Sequence, residues 1–252
     1  MMEIRRFRAA RAAVLALVAG TVGALVASSP EAARPVPDAR RAAAAAPAEP
    51  GDFRVNFRVD GWTRIAKLGS AMRVGPGQFK SVIKQGQEDP GNPGVYPVTG
   101  TLTMPPASGY FVVFRFVPVT NVNSFIQVGT ASGTANMNDF PTVHADIRLA
   151  LNLVITDVKQ NGVPLDVGAN CRSRAPIDVA IKGDLDLSVP KITPQNPNPK
   201  PAATIDSEYT IPQLIGCGVT EDLTPLLTGL VSGPKNLLRT ELRLECAGCP
   251  AS

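Results

Sequence analysis

Of the 252 residues, one is histidine and one is tryptophan, and aromatic residues together make up only 5%. Each scarcity removes a class of function. A single imidazole, His144, leaves acid–base catalysis resting on one ring, and no recognisable nucleophile elbow, phosphate loop or metal cluster accompanies it. Charge is scarce too, at 18%, and the 22 glycines and 24 prolines together equal the charged residues in number. An Ala/Glu/Lys-surfaced helical bundle does not have that composition; strands and turns do. Long hydrophobic runs are also missing. The longest, Ala12 to Ala27, is broken by Gly20, Thr21 and Gly23, short of the roughly 20 apolar residues that cross a bilayer as a helix.

That short run has a different reading. Arg5, Arg6, Arg8 and Arg11 precede it and small residues up to Pro30 follow it, the order of a secretory signal peptide. The expectation is a signal peptide over 1–27, cut after Ala27 or shortly beyond. Arg5-Arg6-Phe7 lacks the residue that a twin-arginine motif places before the Phe, so the export route stays open. No cysteine lies near the cut to carry a lipid anchor, and no transmembrane span is expected after processing. Residues 28–51 are Ala, Pro and charge without an aromatic residue, a composition that reads as a disordered leader. Residues 1–51 hold seven Arg against four acidic residues, a net of +3. The remainder balances 18 basic against 17 acidic residues, and a near-neutral domain is a poor match for nucleic acid.

Residues 52–252 read as a single all-β domain. Phe53, Val55, Phe57 and Val59 alternate with Arg54, Asn56 and Arg58, the period of a half-buried strand. Further strands are expected at Thr63–Val74, Phe79–Lys84, Val98–Met104, Tyr110–Val117, Val122–Val128 and Val143–Val158, with turns at 75–77, 88–94 and 105–109. The run YFVVFRFV (110–117) is apolar on both faces except for Arg115 and reads as a doubly enclosed central strand. Asn161-Gly162 fits the two positive-φ positions of a primed hairpin turn. Ile177, Val179, Ile181, Leu185, Leu187 and Val189 form one apolar row opposite Asp178, Lys182, Asp184 and Asp186. Five prolines between 190 and 204 mark an exposed loop. A two-turn helix is expected from Thr224 as N-cap, with Pro225 first and Gly233-Pro234 as the stop. The fold expected is a two-sheet β-sandwich of eight or more strands with one short helix, with a closed β-barrel as the alternative.

Four residues could carry a covalent framework: Cys171, Cys217, Cys246 and Cys249. An even number in an exported chain points to disulfides, in any of three connectivities. Cys246-Ala247-Gly248-Cys249 also has redox-motif spacing, but no helix follows to lower a thiol pKa, and Cys171 and Cys217 are too far apart for the paired spacing of a four-cysteine zinc site. His144, Asp146 and Arg148 share the outer side of one strand by period two, as a solvated face does. Asp178, Asp184 and Asp186 lie along a strand, which splays ligands too widely for calcium. No catalytic, metal or cofactor-binding residue is therefore assigned.

The ordered set TRIAKLG (63–69), VGPGQF (74–79), TGTLTMPPASGYFVVFRFVPVT (99–120), NGVPLDVGANCRS (161–173), PIDVAIKG (176–183), YTIPQLIGCG (209–218) and LLTGLVSGPKN (226–236) resembles a family of uncharacterised secreted β-rich proteins of actinomycetes. The proline loop, the CAGC tail and Lys235, where the family pattern has Gly, are departures from it. The resemblance implies export, an all-β fold, and pairing of Cys171 with Cys217, leaving Cys246 for Cys249; it brings no catalytic residues. The function expected is that of a secreted, non-catalytic extracellular or envelope-associated module that binds an envelope or exported protein partner. The alternative is a carrier of an apolar small molecule or lipid.

Overall fold

A computed structural model of the protein describes residues 51–250. The signal peptide expected over 1–27 and the leader expected over 28–51, Gly51 apart, lie outside the described residues. Strands account for 61% of the structure. In chain order they are β1 (Phe53–Ile65), β2 (Ser70–Ile83), β3 (Val95–Thr103), β4 (Ala107–Val113), β5 (Val117–Asn136), β6 (Thr142–Gln160), β7 (Val163–Pro164), β8 (Arg172–Ser173), β9 (Ile177–Asp186), β10 (Ala203–Ile211), β11 (Leu214–Ile215) and β12 (Gly233–Ala247). One helix, α1 (Thr224–Val231), precedes β12.

All pairings are antiparallel. The hydrogen-bonded path runs β10-β12-β1-β2-β3-β5-β6-β8-β11, with β4 joined to β5 and both β7 and β9 joined to β6. The sheet folds over on itself in a sandwich-like way. β5 makes the turn: its register on β6 slips between Val128 and Ser132, its first part pairs β4, and its last part pairs β3. Bulged strands are how a chain passes from one layer to another. The inner rows of β1, β2, β10 and β12 then face those of β5, β6 and β9 across one core that includes Phe57, Phe79, Leu151, Ile177, Tyr209 and Leu244.

The sheet is not closed into a barrel. β9 and β10 approach closely: the Ser207 hydroxyl donates to the Ala180 carbonyl, and Asp186 N–H donates to the Ala202 carbonyl at 2.9 Å. Each of these strands nevertheless has its ladder elsewhere, β9 on β6 and β10 on β12.

Three expectations are corrected. Thr63–Val74 is not one strand: a turn over 66–69 divides it, with Gly69 N–H bonded to the Ile65 carbonyl at 2.9 Å. The glycine-proline cluster at 75–77 ends no strand, because β2 continues through it as a bulge opposite Val59 to Gly61. Gly75 has φ +95°, and a Cβ there would sit 2.4 Å from the Val59 carbonyl oxygen, so the bulge requires glycine. The run at 110–117 is not a central strand. Its first part lies in β4, which pairs β5 alone, and its last part is a hairpin tip. Phe111 and Val113 are buried while Tyr110, Val112, Phe114 and Phe116 are exposed.

The proline segment at 190–204 is mostly exposed, as its missing donors require, but it is strapped down rather than free. Ile192 and Ala202 donate to the Leu244 and Leu242 carbonyls, Arg58 to the Pro197 carbonyl and the Asn198 side chain, and Arg243 to the Pro199 carbonyl. In α1, Leu223 rather than Thr224 occupies the N-cap position, and the Thr224 hydroxyl is turned instead toward the Cys217 backbone. Lys235, at the position where the resembled pattern has Gly, has φ +64°. The backbone there asks for glycine, and lysine meets it.

Candidate functional site

The strand register brings His144 to partners that the one-strand pattern misses. His144 faces Asp184 across the β6–β9 pair, and its Nδ1 lies 2.6 Å from Asp184 Oδ1. Nε2 lies 2.8 Å from Asp139 Oδ2, which comes from the β5–β6 turn. The hydrogen bond to Asp139 first, and that to Asp184 next, raise the imidazole pKa above its ordinary value. Asp146, the same-face neighbour, pairs with Lys182 instead, at 2.9 Å. With both nitrogens within hydrogen-bond distance of carboxylates, the ring is a strut between β9 and the turn. Of the other aspartates, Asp184 is committed to His144 and Asp186 accepts from Ser188, so these carboxylates do not converge on one point.

The four cysteines form two disulfides, Cys171–Cys217 and Cys246–Cys249, the pairing that the resemblance implies. Cys171 and Cys217 are buried and tie β8 to the segment leading into α1, while Cys246–Cys249 closes a tight loop at the end of β12.

Between the layers lies an apolar cavity of about 70 Å³, lined by Val74, Phe79, Met104, Phe125, Ile177 and Tyr209 among others. Small-molecule sites generally occupy roughly 300–1,000 Å³. This cavity is well below that range.

The β4–β5 hairpin tip carries the most exposed large apolar side chains among the described residues. β4 and β5 pair as far as Val113 and Val117, and Phe116 N–H closes the tip onto the Val113 carbonyl at 3.2 Å. The two central residues, Phe114 and Arg115, have φ +53° and +70°. Positive φ at both positions is the requirement of a type I′ turn, normally met by Asn-Gly. The adjacent β6–β7 hairpin meets it that way, with Asn161 at +50° and Gly162 at +80°, and Asn161 N–H bonds the Pro118 carbonyl to hold the two tips side by side. Holding a residue other than glycine in the left-handed region costs about 1–2 kcal/mol. The β4–β5 tip accepts that cost twice and thereby presents two phenylalanines to solvent.

Phe116 is 77% and Phe114 69% exposed, the highest values among the large apolar residues described. Tyr110 and Val112, on the outer row of β4, continue the apolar surface away from the tip. Val163 of the neighbouring tip and Leu226 of α1 are exposed as well, and a cleft of about 60 Å³ between Phe114, Leu165, Leu226 and Leu230 joins helix to hairpin. Exposed apolar side chains gathered in this way make the tip a candidate contact surface. Arg115 has no hydrogen bond or ion pair among the described residues, while Lys159 on the next strand pairs with Asp157 at 3.3 Å. The sequence pattern alone missed this apex, because apolar alternation does not say whether the second face is covered. The available signal was the placement of FRF directly before a strand, with no Gly, Asn or Asp to make the turn.

No family model, curated protein or solved structure matches the chain. Among the described residues no helix is long and apolar enough to cross a membrane.

Proposed function

We propose that the protein is an exported, non-catalytic interaction module of the cell envelope, and that the aromatic apex is its contact surface. The observation that carries this reading is the pair Phe114 and Phe116, held exposed on a turn whose backbone favours other residues. Local conformational cost sustained for display of a side chain is a feature of functional sites. Two disulfides fit an oxidising compartment. The saturated hydrogen bonding of His144 supports the non-catalytic part, since neither ring nitrogen is left to take a proton from a substrate. The apolar cavity between the layers, at about 70 Å³, is far below carrier size and so does not favour the alternative of an apolar cargo.

The test is fractionation of cells producing the full chain against cells producing the double variant Phe114→Asn/Arg115→Gly. The variant keeps the turn geometry and Phe116 but loses the Phe114 and Arg115 side chains. The parent is expected in the envelope fraction and the variant in the medium. Equal retention of the parent, the double variant and Phe116→Ser would remove the apex as the contact surface.

A further inference from the structure

We infer that the surface this apex contacts is a phospholipid bilayer, with Phe114 and Phe116 entering the acyl boundary and Arg115 binding lipid phosphate. The inference rests on the interaction-module reading and names its partner.

The shape of the apex favours lipid over a protein. A specific protein interface needs about 800 Å² per partner of complementary surface, with its anchors set into pockets. Here the most exposed side chains stand on the tip of a two-stranded hairpin, beside a second hairpin tip and one helix residue. A deformable bilayer accepts such a protrusion without a matching cavity, and apolar faces of peripheral proteins enter it by roughly 5–10 Å.

The distribution of chemistry along β4 agrees. At about 3.3 Å per strand residue, Val112 lies about 7 Å and Tyr110 about 13 Å behind Phe114. With the phenylalanines inserted, the Tyr110 ring comes to the level of the headgroups, where amphipathic aromatic side chains are favoured. The cation is also placed for this. Arg115 lies between the two phenylalanines in sequence and has no carboxylate partner among the described residues, and a guanidinium binds phosphate oxygens through paired N–H donors. A carboxylate between the phenylalanines would be repelled by the same surface.

Vesicle sedimentation of the full chain tests this, using phosphatidylcholine alone and phosphatidylcholine with phosphatidylglycerol. Residues 1–50 are common to every variant, so differences report on the apex. The parent is expected to bind, more tightly to the anionic vesicles, and Phe114→Asn/Arg115→Gly and Phe116→Ser are each expected to weaken binding at least tenfold. Unfolding in urea checks that the double variant is no less stable than the parent. Independently, Phe116→Trp in a Trp62→Phe background is expected to shift its emission to the blue and to be quenched by brominated lipid. Equal vesicle binding by parent and variants overturns the inference. So does a parent that binds no vesicles but forms a dimer in sedimentation velocity that the double variant loses, since the partner is then a second copy. Loss of envelope retention in the variant, with no vesicle binding by the parent, overturns the lipid inference while leaving the interaction module standing.

Discussion

His144 stands between two carboxylates from separate elements, Asp139 at one nitrogen and Asp184 at the other. Its pKa is raised in the folded state, so folding favours the protonated ring. The stabilisation is complete below the ordinary histidine value of about 6.5 and is lost as pH rises through the higher folded value. Thermal unfolding of His144→Gln is therefore expected to fall below that of the parent in acid, below the ordinary histidine value, and to approach it as pH rises through the raised folded value. A difference that is the same at both ends would sink the strut. Because the apex lies elsewhere in the sheet, the same variant is expected to remain in the envelope fraction. Sequence alone placed His144 on an outer face with Asp146 and Arg148 and did not reach Asp184. Asp146 is two residues away along β6, but Asp184 is directly opposite across the ladder, and directly opposed pairs interact more closely than same-strand ones.

Among the elements, the β4–β5 hairpin is the one whose local chemistry conflicts with its backbone. Phe114 and Arg115 occupy positive-φ positions that Asn-Gly fills in the hairpin beside it. Substituting Phe114→Asn/Arg115→Gly is expected to stabilise the fold by on the order of 1–2 kcal/mol, because Asn and Gly adopt the left-handed conformation at less cost and little buried surface is lost. Equilibrium unfolding in urea measures it. A destabilised variant would mean that the phenylalanine ring packs more than its exposure indicates. The element also shows why apolar content does not identify a central strand. β4 has Phe111 and Val113 on its inner row and Tyr110 and Val112 outside, and the outer row is exposed because only one face of the strand is covered by the core.

At the scale of the whole molecule, the core is one and the covalent staples are unequal. Cys171–Cys217 spans 46 residues and Cys246–Cys249 three. Loop-closure entropy grows with the logarithm of the span, so the first contributes about 4 kcal/mol and the second about 2 or less. Cys171→Ala is expected to lower the urea midpoint markedly, and Cys246→Ala/Cys249→Ala much less; comparable losses would show that the entropic account fails here. The proposed export is also tested at this scale. The mature N-terminus, sequenced from culture medium, is expected between Ser28 and Gly51, and an intact Met1 on cell-bound protein would contradict it.

Alternation of apolar and polar residues in β1, β6, β9 and β12 by itself determined that this chain is built of strands, because only the period-two geometry of a strand buries such rows. Turn chemistry determined the Asn161-Gly162 hairpin for an equally local reason: few residues tolerate positive φ twice in succession. Tertiary structure decided what depends on which strand lies next to which. It made one sheet folded over through the bulge in β5, strapped the proline segment with Arg58 and Arg243, and brought Asp184 to His144 from 40 residues away. It also left β4 with one ladder neighbour and its hairpin tip in solvent. Whether an apolar side chain is core or contact surface is a property of what covers it, and covering is non-local.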